Sequence, residues 1–267
     1  MANERLTALV TGASAGIGKA FAEVFAKYGF NLILTARREE RLRDLAQELS
    51  KGHHVDVTVM PADLADVSAP SRLIAEIKSR GMKVDALVNN AGYGVPGSYA
   101  GSKWENQRDF IQVLMTAPCE LAHLTLPDMI ARKQGYIINV ASLAGMLPGS
   151  AGHTLYGASK SFMIQFSRSL NMEAGKHGVH VTAVCPGFTY SEFHDVSGTR
   201  DQVSRMPKLM WMTAEAVAEE GYTAVMRNKP VHVNGRINRS IALVAKYLPD
   251  SVAFSIMKAR SGSVRAQ

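Results

Sequence analysis

The chain has 267 residues, of which 46% are hydrophobic and 20% charged, a composition that is ordinary for a globular protein with a substantial core. The formal net charge of +7 suits an anionic partner, but no zinc-finger spacing or RNA-binding aromatic motif accompanies the basic residues, so we expect no nucleic acid partner. No apolar run approaches the roughly 20 residues that span a bilayer, the first residues do not resemble a signal peptide, and Cys119 and Cys185 lack metal-ligand or disulfide spacing. These features predict a cytoplasmic protein without a metal site.

The first candidate binding element is a glycine-rich turn between a strand and a helix. Leu6–Val10 is a short apolar run rich in strand formers, and Thr11–Gly18 follows it directly, before a helical pattern. Gly12 permits a sharp turn, Gly16 lets the backbone approach a ligand, and Gly18 lets the helix pack tightly on the strand. Free amides at a helix start favour an anion, which predicts a site for the pyrophosphate of a dinucleotide. The residues assigned to it are Gly12, Ser14, Gly16, Ile17 and Gly18.

The end of the second strand is expected to select the cofactor. The predicted strand Asn31–Ala36 runs into Arg37 and Arg38. An acidic residue there would hold the ribose hydroxyls of NAD, whereas the guanidinium fork of arginine matches a phosphate. Arg37 therefore predicts NADP, with NADPH preferred over NADH. The alternative is that both arginines only begin the predicted helix Glu39–Ser50.

Candidate adenine contacts follow the third predicted strand, Val55–Met60. Asp63 and Leu64 stand where an adenine ring would rest. Asp63 could accept a hydrogen bond from the adenine amino group, or it could cap the predicted helix Ala69–Arg80. Both interpretations are open at this stage.

The fourth predicted strand begins at Val84 and runs into the turn Asn89–Gly92. Small residues and side-chain amides leave room beside a cofactor there, and Asn90, Ala91 and Gly92 are assigned to its binding. Strands alternate with helices over this whole distance. The pattern predicts a single α/β domain with a doubly wound, Rossmann-type, parallel seven-stranded sheet and helices on both faces.

Tyr156 and Lys160 form the candidate acid–base pair. They lie early in a predicted helix, His153–Gly175, and a spacing of four residues puts both side chains on one face. A phenol has a reference pKa of about 10, and a neighbouring ammonium is expected to lower it towards the working pH of a general acid or base. Because this spacing is common in helices, it indicates catalysis only together with other motifs.

The ordered motifs resemble those of the short-chain dehydrogenase/reductase superfamily. That family carries Thr-Gly-x-x-x-Gly-x-Gly, Asn-Asn-Ala-Gly, a serine, Tyr-x-x-x-Lys and Pro-Gly in this order. The matching elements here are Thr11–Gly18, Asn89–Gly92, Ser142, Tyr156 with Lys160, and Pro186 with Gly187. The resemblance implies hydride transfer between NADP(H) and a carbonyl or alcohol, and a homodimer or homotetramer.

The resemblance also implies roles for individual residues. Tyr156 would donate the proton to the substrate oxygen, Ser142 would hydrogen-bond that oxygen, and Lys160 would lower the phenol pKa and hold the nicotinamide ribose. Pro186 and Gly187 would lie at the nicotinamide. The hydroxyl that contacts its carboxamide would be Ser191, with Thr189 as the runner-up.

One position departs from the family pattern. The family usually places an asparagine of a proton relay on the helix after Asn-Asn-Ala-Gly, and Leu114 stands there in this chain. Leucine neither donates nor accepts a hydrogen bond, so the relay is expected to be rerouted, weakened or absent. We therefore expect the core chemistry to be retained with a reduced or altered pH profile.

The C-terminal third is expected to form the substrate side of the site. Residues 188–212 are polar and methionine-bearing, which predicts a mobile substrate lid. Its Met206, Met210, Trp211 and Met212 suggest a hydrophobic ketone or fatty aldehyde. Thr213 resembles an N-cap for a helix Ala214–Arg227, and Val231–Val233 is predicted to be the seventh strand.

Residues 234–267 form a basic extension with an amphipathic helical pattern. Such a helix lies on a membrane surface in some proteins, but packing over the pocket or on a sister subunit is favoured here.

The favoured function is NADP-dependent hydride transfer to a hydrophobic ketone or aldehyde. Two alternatives stay open. One is reduction of 3-oxoacyl thioesters within the same family. The other is a cofactor-binding regulatory or interaction protein with little turnover, which Leu114 keeps open.

Overall fold

The computed structural model describes residues 5–95, 97–152, 154–192 and 207–262, with side chains described up to residue 259. Seven strands form one parallel sheet in the order β3-β2-β1-β4-β5-β6-β9, and β7 and β8 form a separate parallel pair. The strands are β1 Thr7–Thr11, β2 Asn31–Thr35, β3 Val57–Val59, β4 Ala86–Asn89, β5 Gly135–Val140, β6 Val179–Cys185, β7 Phe188–Tyr190, β8 Trp211–Thr213 and β9 Val231–Val233. The predicted doubly wound, seven-stranded α/β domain is confirmed.

Helices connect the strands and cover both faces of the sheet. They are α1 Gly16–Lys27, α2 Glu39–His53, α3 Ala69–Ser79, α4 Trp104–Ile111, α5 Ala117–Ala131, α6 Thr154–Gly175, α7 Ala214–Met226, α8 Arg236–Tyr247 and α9 Asp250–Gly262. A π-helical turn, Gln112–Thr116, joins α4 directly to α5. The predicted helices agree with these bounds to within three residues, and the predicted first residue of α6, His153, lies outside the described residues.

Two apolar cores lie on opposite faces of the sheet. Alternation along β1 shows the division, because Ala8 and Val10 face one core and Leu9 faces the other. Helices α1, α2 and α7 cover the first core, and α3 to α6 with the π-helical turn cover the second. The inner strands β1, β2, β4, β5 and β6 are therefore buried on both faces, as is typical of a parallel sheet, whereas the edge strands β3 and β9 are half-buried. Their carboxyl ends stay free to carry functional loops.

The segment predicted to be a lid begins and ends in regular structure. Phe188 pairs with Trp211 across β7 and β8, and the Trp211 ring stacks on Tyr190 with ring centres 4.7 Å apart. Residues 193–206, which include Met206, lie outside the described residues. The chain then enters α7, where the hydroxyl of Thr213 accepts a hydrogen bond from the Ala216 amide at 3.2 Å. The predicted N-cap is confirmed.

Within the described ranges, no helix has both the length and the apolar character needed to span a bilayer.

Candidate active site

The glycine-rich turn is folded against the strand that precedes it. Gly12 and Gly16 adopt left-handed backbone conformations, with φ of 65° and 56°. Gly18 lies on the first turn of α1, where an added Cβ would stand 2.3 Å from the carbonyl oxygen of Gly12. The side chain of Ile17 packs against the apolar core. The start of α1 is thus held close to β1 with its first amides directed outwards, which suits an anion.

Thr11 fastens this turn to the one that follows β4. Its hydroxyl donates to the carbonyl of Val88 at 3.1 Å and accepts from the amides of Asn90 and Ala91 at 2.9 and 3.0 Å. The Asn90 side-chain amide returns to the carbonyls of Thr11 and Gly12 at 3.0 and 3.3 Å. Two loops that are distant in sequence therefore form one rigid wall. The side chain of Asn90 therefore has a structural role in joining the two loops, in addition to the cofactor contact predicted for this residue.

The two arginines after β2 have different surroundings. Arg37 is exposed and forms no hydrogen bond or ion pair with any other described residue. Arg38 is engaged, because its guanidinium donates to the hydroxyl of Ser14 at 3.0 Å and to the carboxylate of Glu192 at 2.9 Å. Arg41, on the first turn of α2, donates to the same carboxylate at 2.6 Å. Sequence reasoning missed Glu192, because its partner Arg38 lies 154 residues away in the chain.

Asp63 does not cap α3, so that alternative is wrong. Its carboxylate accepts from the amide of Ala65 at 3.0 Å and forms a local Asx turn. Helix α3 begins only at Ala69, after Ser68. Asp63 is exposed beside the carboxyl end of β3, whereas the side chain of Leu64 is buried in the core. Any contact of Leu64 with an adenine must therefore come from its backbone.

Ser142, Tyr156 and Lys160 meet at the carboxyl end of β5. The Ser142 hydroxyl accepts from the Ala144 amide at 3.1 Å and hydrogen-bonds the Tyr156 phenol. Lys160 is only 7% exposed, its ammonium donates to the carbonyl of Val140 at 2.8 Å, and it lies 5.7 Å from the centre of the Tyr156 ring. The arrangement places a proton donor, a hydrogen-bond donor and a cation around one point.

Gly145 is a residue of this site that sequence reasoning missed. It lies in the short helical turn after Ser142, and an added Cβ there would stand 2.5 Å from the backbone carbonyl carbon of Lys160. The turn that carries Ser142 therefore packs directly on the helix that carries Tyr156. A glycine between the serine and the tyrosine was the available signal.

The electrostatics correct one expectation. The sequence predicts a lowered phenol pKa, but burial raises the pKa of Tyr156, and the hydrogen bond with Ser142 opposes this only in part. Burial lowers the pKa of the Lys160 ammonium to about 8, with the nearby Cys185 thiol acting in the opposite direction. Desolvation dominates, and the Lys160 ammonium, which is directed at the carbonyl of Val140, is not among the groups that lower the phenol pKa.

The turn after β6 lies beside this group. The carbonyl of Pro186 accepts from the Leu143 amide at 2.9 Å, which ties the turn to the Ser142 segment. The hydroxyl of Thr189 is buried and donates to the carbonyl of Gly187 at 3.2 Å. Ser191 instead lies against the glycine-rich turn: a Cβ added to Gly16 would stand 3.0 Å from the Cβ of Ser191. Ser191 is thus the better placed hydroxyl to meet a ligand on that turn.

Asn238 links the basic C-terminal extension to this turn. It lies on α8, is 3% exposed, and donates to the carbonyl of Asn234 at 2.9 Å. A Cβ on Gly187 would stand 2.5 Å from the side-chain oxygen of Asn238. The extension therefore buttresses the site, and Gly187 has to be a glycine for the close approach. Nothing in the sequence indicated this contact.

Leu114 lies in the apolar core, in the π-helical turn between α4 and α5. It is 2% exposed, and a Cβ on Gly92 would stand 3.5 Å from its Cγ. A chain of side-chain hydrogen bonds nearby does not include Leu114: the side-chain amide of Asn89 donates to Asn139 at 2.9 Å, and that of Asn139 donates to Ser167 at 2.8 Å. Leu114 thus presents an apolar surface beside the turn where the family pattern has an amide.

A small pocket, with room for about one water molecule, adjoins Tyr156. Its side chains are mostly apolar or aromatic, and they come from the loop before α4, from α4 itself and from the start of α6. The lining includes Val95, Tyr99, Gln107, Phe110, Thr154 and Leu155. Among the described residues of this pocket there is no methionine, since Met212 packs on Gly235 and β8 pairs with β7; Met206 lies outside the described residues.

The described residues fit a dinucleotide. Gly12, Gly16 and Gly18 add no side chains of their own beside the first amides of α1, and Arg37 lies exposed beside the end of β2. The Ser142, Tyr156 and Lys160 group lies where the carboxyl ends of the strands meet, as in open α/β sheets that bind such ligands.

Comparisons with known proteins agree with this geometry. Residues 6–201 match the family model described as short chain dehydrogenase. Oxidoreductase UcpA of Salmonella typhimurium is 38% identical over 184 residues, 68% of each chain. Sulfoacetaldehyde reductase 2 of Chromohalobacter salexigens is 38% identical over 237 residues, 86% of this chain and 91% of that protein. A solved short-chain dehydrogenase from Sphingobium yanoikuyae in complex with NADPH superposes with a TM-score of 0.79 at 28% identity, covering 98% of this chain and 96% of that one.

Proposed function

This chain belongs to the short-chain dehydrogenase family and is an oxidoreductase, and from that premise we propose that it transfers hydride between NADP(H) and a hydrophobic ketone or aldehyde. The observation that carries the proposal is the hydrogen bond between Ser142 and Tyr156, with Lys160 beside them, next to a small pocket that Tyr156 helps to line. A cytoplasmic homodimer or homotetramer is part of the same proposal.

The bound nicotinamide supplies the hydride, and the chain supplies the proton and the orientation. The Tyr156 phenol carries its proton near neutral pH and is the donor to the carbonyl oxygen, although burial raises its pKa and so makes it a weaker acid than a free phenol. The Ser142 hydroxyl hydrogen-bonds the same oxygen as negative charge develops there. Lys160, whose pKa is lowered to about 8, is the neighbouring group that restores the proton to Tyr156.

The cofactor preference rests on the residues after β2. No acidic side chain stands at the end of this strand, and Arg37 is exposed without an ion pair to any described residue, so its guanidinium is available for the 2′-phosphate of NADP. The NADPH complex of a relative with 28% identity gives further support.

The substrate class rests on this small pocket. Among the described residues that line it, none carries a charge, and Val95, Phe110 and Leu155 supply apolar surface. The described lining offers no cation to an anionic substrate such as that in the name of the sulfoacetaldehyde reductase. An uncharged, hydrophobic carbonyl compound is therefore favoured over a sulfonate. The alternative that the enzyme reduces 3-oxoacyl thioesters is tested by including such thioesters among the substrates of the experiment below.

The first experiment is a fluorescence titration of the purified protein with NADPH and, separately, with NADH. The expected result is tighter binding of NADPH, followed by turnover of hydrophobic ketones or aldehydes in preference to sulfoacetaldehyde and short 3-oxoacyl thioesters. Equal or tighter binding of NADH contradicts the phosphate assignment of Arg37. If neither cofactor binds, the proposed hydride transfer with NADP(H) fails. If a cofactor binds but no carbonyl compound is turned over, the cofactor-binding regulatory alternative that Leu114 keeps open replaces it.

Tyr156→Phe separates chemistry from binding. The variant keeps the ring and removes the proton, so kcat is expected to fall by about 10² to 10⁴ while the Kd of NADPH stays within about threefold. A variant that retains most of its kcat excludes Tyr156 as the proton donor.

A further inference from the structure

A carboxylate already occupies the basic group beside the glycine-rich turn. Glu192, two residues after β7, accepts from Arg38 at 2.9 Å and from Arg41 at 2.6 Å. These two ion pairs hold the pKa of the Glu192 carboxyl below its usual range. One anionic side chain therefore shares two guanidinium groups that come from the start of α2.

The same guanidinium reaches the predicted phosphate turn. Arg38 donates from two nitrogens to the hydroxyl of Ser14, at 3.0 and 3.3 Å. Ser191, the neighbour of Glu192, lies against Gly16 of that turn. Glu192 is thus brought to the cofactor face of the protein, on the side where Arg37 lies.

We infer that Glu192 competes with the 2′-phosphate of NADP for Arg38 and Arg41, and so sets how strongly the enzyme prefers the phosphorylated cofactor. The inference rests on the proposed use of NADP(H). It assigns Arg38 and Arg41 as phosphate ligands in addition to Arg37, and Glu192 as the internal anion that the phosphate displaces.

The exchange is feasible because all three side chains are in contact with solvent. The side chains of Arg38, Arg41 and Glu192 are 44%, 49% and 44% exposed. Ion pairs with this exposure are weak, so a phosphate, which carries more charge than a carboxylate, replaces them without opening the core. Arginine forks suit a phosphate at least as well as a carboxylate.

The test isolates the 2′-phosphate by using fragments of the cofactor. Adenosine 2′,5′-bisphosphate and AMP differ by that group alone, and both are titrated calorimetrically into the full chain at one ionic strength. The ratio of their Kd values measures the contribution of the 2′-phosphate, and it is a readout independent of turnover. Thermal denaturation of each variant verifies that it is folded.

Glu192→Gln is expected to increase the preference for the bisphosphate by about threefold to tenfold, because two exposed ion pairs no longer have to be broken. Adding Arg41→Gln to this variant should remove the gain. Glu39→Gln is the matched control. Like Glu192→Gln, it removes one negative charge near the start of α2, but this carboxylate pairs with Arg43. The ratio of the two Kd values should therefore stay within about twofold of the wild-type value.

An unchanged ratio in Glu192→Gln, or an equal rise in Glu39→Gln, overturns the inference. If the wild type meanwhile binds NADPH and reduces carbonyl compounds, the proposed function stands and only the role of Glu192 is refuted. If neither the wild type nor Glu192→Gln binds a nucleotide, the inference and the proposed function fall together.

Discussion

Replacement of Gly18 by alanine tests whether the close packing of α1 on β1 sets the shape of the cofactor site. An alanine Cβ at this position would stand 2.3 Å from the carbonyl oxygen of Gly12 and 2.4 Å from the side-chain nitrogen of Asn90. Ordinary contacts of this kind exceed about 3.4 Å, so α1 or the loop has to move by about 1 Å. The first obstacle is backbone, which yields less readily than the end of a side chain.

The expected magnitude follows from these contacts. Overpacking costs about 1–3 kcal/mol, and displacement of Asn90 weakens its hydrogen bonds to Thr11 and Gly12, each worth about 1 kcal/mol. The higher helix propensity of alanine offsets up to about 1 kcal/mol of this loss of stability. The free energy of unfolding should therefore fall by about 2–4 kcal/mol, which lowers Tm by about 5–15 °C in a chain of this size.

Thermal denaturation of the cofactor-free protein measures this effect. Gly52→Ala is the matched control, since Gly52 also lies in a helix but nothing stands within 4 Å of its added Cβ. Its Tm should stay the same or rise by a few degrees. A Gly18→Ala variant whose Tm lies within about 2 °C of the wild type would refute the packing argument. The same variant should lose affinity for NADPH and NADH equally, because the pyrophosphate is common to both.

Three further predictions concern protonation, the departure at Leu114 and the cofactor. Burial lowers the pKa of Lys160 from its ordinary 10.5 to about 8, so between these values the unfolded chain binds more protons there and the free energy of unfolding rises with pH. Burial of the charged lysine therefore costs on the order of 3 kcal/mol of stability below about pH 8, and Lys160→Met should remove this cost. The Tm of the wild type should rise relative to that of the variant between about pH 8 and 10.5, and a constant difference between the two contradicts the argument. Leu114→Asn should cost about 1–3 kcal/mol of stability and change the dependence of kcat on pH, with Leu114→Met as the control, and an unchanged profile would show that the leucine has no influence on proton transfer. Arg37→Asp should lower the affinity for NADPH relative to NADH at least about tenfold, whereas Arg43→Asp, further along α2, should leave this ratio unchanged.

The sequence was sufficient for the sheet and for the order of the motifs. Burial of the strands on both faces produces apolar runs, and the helices between them carry a helical period, so both signals are local. The turn Thr11–Gly18 and the spacing of Tyr156 and Lys160 are likewise short patterns whose geometry follows from the chain. These local rules made the β1-α1 turn and the start of α6 predictable.

Contacts between residues that are far apart in the chain could not be predicted from the sequence. Glu192 pairs with an arginine 154 residues away, and Asn238 packs behind Gly187 from a segment for which the sequence predicted a basic amphipathic helix but no particular contact. Asp63 was predicted either to cap α3 or to meet an adenine, and the capping role was wrong because its carboxylate found a nearer amide in Ala65. Such partners are chosen by how the loops at the sheet edge converge.

The sign of the phenol pKa shift shows the same division. The spacing of Tyr156 and Lys160 was fixed by the helix, and from spacing alone an ammonium should lower the pKa of the phenol. In the tertiary structure Lys160 is buried with its ammonium directed at the carbonyl of Val140, and Tyr156 is half-buried, so desolvation raises the pKa of Tyr156 and lowers that of Lys160. Sequence determined which groups are neighbours, and only the packing around them decided their charge, because desolvation depends on everything that excludes water from the site.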